Sequence, residues 1–118
     1  MVDSSKESAR KIAVNDFTVS NSDKMFALCT TQGFRVHEMR NGQLKVDCTE
    51  INGGTKLVQL YGNSSLVFFV GNGFDANYYT NKLVMWCLKE KEALAEVEFR
   101  TQIIDLLVCG DWIIVAEN

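Results

Sequence analysis

At 118 residues, 47% hydrophobic and 23% charged, the chain has apolar matter enough for a buried core and too much for a disordered segment. A net charge of −3 leaves no global basic field for nucleic acid or for an anionic membrane surface. No run approaches the roughly 20 apolar residues that span a bilayer, and the polar residues 1–11 lack a signal core and read as a disordered tail.

From there the chain reads as strands separated by turn residues. Residues 12–19, 25–30, 34–39 and 44–48 are β-rich, punctuated by Asn21-Ser22-Asp23, Gln32-Gly33 and Asn41-Gly42. Asn41-Gly42 predicts a tight type I′ hairpin, in which both central residues take positive φ. Residues 55–61 pair with 66–70 across a polar turn, 82–88 with 93–99 across a charged one, and 102–108 with 112–116 across Cys109-Gly110-Asp111. The segment 89–98, KEKEALAEVE, is built of helix formers. Its Ala93, Ala95, Val97 and Phe99 nevertheless alternate with Leu94, Glu96 and Glu98, and its place in the order is that of an outer strand.

That order repeats. Met25, Leu66 and Trp112 open equivalent strands at offsets of 41 and 46 residues, close to the ~40–45-residue period of four-stranded propeller blades. The expected fold is all-β: a β-propeller, with about two and a half four-stranded antiparallel blades of a seven-bladed ring. Blade 1 falls at 12–49, blade 2 at 55–100 and the start of blade 3 at 102–118. Segments 34–39 and 82–88 are then equivalent third strands, and Trp86 is expected to be buried because stacked blades have apolar matter on both faces. The strand WIIVAE is left with an unfinished edge that should recruit another chain or aggregate.

Chemistry is sparse along the chain. Cys29, Cys48, Cys87 and Cys109 stand singly in apolar strands without a CxxC pair, which reads as small buried hydrophobes in a reducing compartment, not as a metal site or a disulfide frame. The lone histidine, His37, alternates with Arg35 and Met39 and reads as an exposed strand residue, and Asp105 and Asp111 read as turn or edge residues. There is no GxSxG and no P-loop, and Gly71 to Phe74 precedes no helix. The reading is non-enzymatic, with no cofactor, metal, nucleic acid or small-molecule substrate.

Several stretches carry a family resemblance over nearly the whole chain. ALCTTQGFRVHEM resembles the first blade of PROPPINs, the WIPI-like phosphoinositide-binding propellers of autophagy. SLVFFVGNG and KLVMWCL resemble strands of the family's second blade, and EVEFRTQIIDLLVCGDWIIVAEN is similar to its passage into the third. The resemblance implies a cytoplasmic effector of phosphatidylinositol 3-phosphate and 3,5-bisphosphate that acts as an autophagy scaffold, peripheral on phagophore or endosomal and vacuolar membranes. The family's Phe-Arg-Arg-Gly lipid motif has no counterpart here, since Arg10, Arg35, Arg40 and Arg100 are each isolated. Lipid-binding residues are therefore expected beyond Asn118, with phosphoinositide membranes met through later blades.

What this segment would supply is surface for protein partners of the autophagy machinery. The insert 74–81 carries Phe74, Tyr78 and Tyr79, more aromatic matter than loop solubility needs. With Lys82 and Arg100 these form the candidate partner site, and Lys82, Arg100 and Lys56 are expected to lend charge near the groove between blades 2 and 3, where the turn Cys109-Gly110-Asp111 has no base of its own. The alternative that the rings fold back on the neighbouring blade stays open. Under the contact reading, serine at Tyr78 and Tyr79 should change stability by no more than about 1 kcal/mol. A generic WD-repeat scaffold without lipid binding is the other functional reading.

Overall fold

A computed structural model describes residues 14–19, 24–62, 64–73 and 78–118. The expected tail at 1–11 and the first two residues of the expected strand 12–19 lie outside them. Ten strands run in chain order: β1 Val14–Val19, β2 Met25–Thr30, β3 Gly33–Glu38, β4 Leu44–Cys48, β5 Thr55–Leu60, β6 Leu66–Gly71, β7 Lys82–Cys87, β8 Glu92–Glu98, β9 Ile103–Cys109 and β10 Trp112–Glu117. They form antiparallel meanders β1-β2-β3-β4 and β5-β6-β7-β8, followed by the pair β9-β10. Met25, Leu66 and Trp112 are each the first residue of the second strand of a sheet, as the repeat requires.

Two cores hold the sheets together. Ala27, Cys29, Phe34 and Val36 of the first sheet meet Val58, Val67, Phe69, Val84 and Trp86 of the second. On the other face of the second sheet, Phe68, Val70 and Leu83 meet Ile103, Leu106 and Val108. The repeat is visible in these lists, because Phe68 and Val70 stand 41 residues after Ala27 and Cys29 and face the next sheet just as those do. Burial on both faces explains why β6 reads as an unbroken apolar run instead of alternating. Trp86 is 4% exposed, as expected.

The inner joints are made of backbone and small polar groups. Gly33 has φ +107, and a Cβ there would collide with the Cys48 carbonyl, so only glycine lets β3 start this close to the end of β4. Its carbonyl accepts a 2.8 Å hydrogen bond from Thr55 Oγ1, which is fully buried and ties the first sheet to β5.

Local expectations fared unevenly. KEKEALAEVE does yield strand β8, because β7 offers it a full ladder, and most of its residues are exposed as an outer strand's should be. The Asn41-Gly42 hairpin is not type I′. Only Gly42 has positive φ, and the loop is longer, closed by Gly42 N–H to the Glu38 carbonyl at 2.8 Å with Asn41 Oδ1 accepting from Gln43 N–H. His37 is not freely exposed: its ring stacks on Phe26 at 5.1 Å and its Nδ1 lies 3.0 Å from the Gly42 carbonyl, so Nδ1 carries the proton. Asp105 sits inside β9, not at its edge. Three cysteines are buried and free, but Cys109, ending β9 beside a turn, is exposed.

Candidate partner-binding site

The site expected at the insert lies at one end of the second sheet. The long connection from β6 to β7 is anchored to the step from β8 to β9: Phe99 N–H donates to the Asn81 carbonyl, Ile103 N–H to the Thr80 carbonyl, and Asn81 Nδ2 to the Phe99 carbonyl. These bonds bring Tyr79, Lys82 and Arg100 to the same end of the blade. Phe74 lies outside the described residues.

The two tyrosines part company. Tyr78 packs edge-on against Phe69, 5.3 Å between centroids, and joins the core between the first two sheets. Burial foremost, then the charges of Glu96 and Cys48, push its phenol above its usual range. The expectation that serine at both positions would spare stability therefore fails for Tyr78, whose ring is partly core. Tyr79 is 53% exposed and free to make a contact.

The charges are equally unequal. Lys82 Nζ is drawn to Glu96 at 3.5 Å, whereas Arg100 is exposed. Lys56 adds nothing to the surface: its Nζ is buried without a hydrogen-bond partner, and burial lowers its pKa. At the other end of the second and third sheets, Asp111 accepts a 3.4 Å hydrogen bond from the Tyr61 hydroxyl. Sequence reasoning did not single out a polar depression of about 490 Å³ lined by Thr31, Gln32, Thr49, Asn52 and Gly53. It is assembled from two loops distant in sequence, and no charged side chain marks it. Among the described residues no group of three His, Cys, Asp or Glu could hold a metal ion.

Four-stranded meanders stacked face to face, with no helix among the described residues, define part of a β-propeller. Solved structures to which it is similar include the PROPPINs Hsv2 of Kluyveromyces marxianus, TM-score 0.74 at 14% identity over 92% of this chain and 33% of that one, and KlAtg21 in complex with the coiled coil of AgAtg16, TM-score 0.68 at 18% identity over 89% and 33%; another similar propeller is that of Cps50 (Swd1), TM-score 0.58 at 12% identity over 80% and 27%. In sequence, the SVP1-like protein 2 of Pichia angusta is 28% identical over 108 residues, 91% of this chain. The chain spans 30% of that relative's length. No family model matches the sequence.

Proposed function

We propose that this chain forms the opening blades of a PROPPIN, acting without catalysis as a phosphoinositide effector and scaffold in autophagy. The observation that carries the reading is the match to Hsv2 over 92% of the chain at a TM-score of 0.74. The Atg21 structure supports the choice of partner, because that propeller is seen with a coiled coil of Atg16. In this reading the segment supplies protein-binding surface through Tyr79 and Arg100, and blades beyond it meet phosphatidylinositol 3-phosphate or 3,5-bisphosphate on phagophore or endosomal and vacuolar membranes. The protein would then be cytoplasmic and only peripherally membrane-bound.

Flotation of the full-length protein with liposomes tests this. It should rise with vesicles containing phosphatidylinositol 3-phosphate and stay down with neutral ones. Equal flotation with both, or with neither, would leave a scaffold without a lipid role.

A further inference from the structure

Three Asn-Gly steps occur in the chain: Asn41-Gly42, Asn52-Gly53 and Asn72-Gly73. In such a step the glycine amide nitrogen can attack the asparagine side-chain carbonyl, because glycine has no Cβ to hinder the approach. The fold treats the three differently. Gly42 N–H is held by the Glu38 carbonyl at 2.8 Å and Asn41 Oδ1 accepts from Gln43 N–H at 2.9 Å, so both reacting groups are tied. Asn72 N–H donates to the Gly54 carbonyl at 3.1 Å, and its side-chain amide packs so closely on Gly54 that a Cβ there would collide with it.

Asn52-Gly53 lacks these restraints. Asn52 is exposed, and among the described residues neither its side chain nor the Gly53 N–H makes a hydrogen bond. Both residues line the polar depression of about 490 Å³ with Thr31, Gln32 and Thr49, which gives water access to the reacting groups. Asn52 is also held at φ 57, a left-handed conformation unfavourable for a residue with a side chain, so rotation toward attack gives up strain and not a favoured geometry. We propose that Asn52 is a site of spontaneous deamidation, and that the reaction loosens the joint between the first two sheets as the protein ages. The Gly53 nitrogen bonds to Asn52 Cγ, the Cγ–Nδ2 bond breaks, and ammonia leaves with the amide proton. Water then opens the succinimide at one carbonyl to aspartate or at the other to isoaspartate, which carries a side-chain methylene into the main chain. Either product puts a carboxylate into a depression whose side chains are all neutral. Isoaspartate has the larger effect, because the chain has no slack beyond Gly53. A Cβ at Gly54 would also lie 3.0 Å from the Thr30 and Thr31 carbonyls, and the adjacent Thr55 makes the buried bond to Gly33 that ties the sheets. The reaction needs neither lipid nor partner and stands apart from the proposed function.

The protein, native or in urea, is incubated in near-neutral buffer, and its proteolytic peptides are followed by mass spectrometry for the gain that replacing an amide by a carboxyl brings. In urea the three steps should react at comparable rates. In the native protein Asn52 should keep its urea rate to within a few-fold, whereas Asn41 and Asn72 are slowed much more strongly. Aged protein should melt at a lower temperature in proportion to the isoaspartate at position 52. Asn52→Gln, whose extra methylene disfavours the cyclic intermediate, should not lose melting temperature on ageing. An Asn52 slowed as strongly as Asn41, or outpaced by Asn41 or Asn72 in the native protein, overturns the site, and an equal loss of melting temperature in aged Asn52→Gln overturns its effect on the joint.

Discussion

Gly42 and Lys91 occupy the same position in the outer hairpins of the two complete sheets. Each donates its N–H across a five-residue turn at 2.8 Å, Gly42 to the Glu38 carbonyl and Lys91 to the Cys87 carbonyl, and each has positive φ, 72° and 58°. A bulge between Val36 and His37 in the first hairpin recurs between Met85 and Trp86 in the second. The second blade thus places a side chain where the first uses glycine. Left-handed backbone costs a non-glycine residue about 1–2 kcal/mol, partly offset by glycine's extra freedom when unfolded. Lys91→Gly should therefore stabilise the fold by about 0.5–1 kcal/mol, because the exposed Lys91 to Glu50 pair at 3.8 Å contributes little. Urea denaturation checks this, and a lower midpoint for the variant would contradict it.

Tyr78 and Tyr79 should separate stability from binding. Tyr78→Ser removes a ring packed on Phe69 and should cost about 2 kcal/mol. Tyr79→Ser should stay within about 0.5 kcal/mol, as exposed positions do, yet weaken capture of the proposed protein partner. Thermal melts and pull-down of the two single variants distinguish these roles. Equal loss of stability in both would make Tyr79 a core residue as well.

The buried thiol of Cys48 sets an alkaline limit. Desolvation first, and then Glu50 through a hydrogen bond and its charge, push the pKa from 9.0 up to about 12. The folded protein holds this proton more tightly than the unfolded chain does, so stability present below pH 9.0 is lost as pH rises from there toward 12. The raised phenol of Tyr78 acts in the same direction above its ordinary value of 10.0. Urea midpoints should fall steeply with pH above 9.0, and Cys48→Ala, less stable at neutral pH, should show a shallower decline. Parallel curves for the two proteins would show that the thiol does not govern this loss.

The strand order was legible because its signals are local and repeated: apolar runs, turn residues and the offsets that align Met25, Leu66 and Trp112. Even the helix formers of β8 were read correctly, since the ladder with β7 outweighs propensity. The candidate site was legible only in part. Tyr78 and Tyr79 are neighbours of the same type, and only the position of Phe69 decides which ring is buried. Lys56 looked like surface charge because nothing in its neighbours reveals the bulge between Thr55 and Leu57 that opens β5. The Asn41-Gly42 turn was misjudged because the dipeptide fixes a left-handed Gly42 but not the length of the loop around it.

The third sheet carries the remaining prediction. β10 pairs with β9 on one side only, and among the described residues no strand covers its other edge. Along it Trp112 is 75% exposed and Ile114 53%, and across the pair Leu107 is 50% exposed, a contiguous apolar face beside unpaired backbone groups. Such an edge is a template for another strand, and natural sheets blunt it with charge or cover it. The 118-residue chain by itself should therefore elute from a sizing column ahead of a 13.3 kDa monomer, increasingly so at higher concentration. Ile114→Lys places a charge in the middle of the edge strand without touching either core, so it should return the protein to monomer with little change in melting temperature. An unmodified chain that elutes as a monomer at every concentration would show that this edge does not drive association.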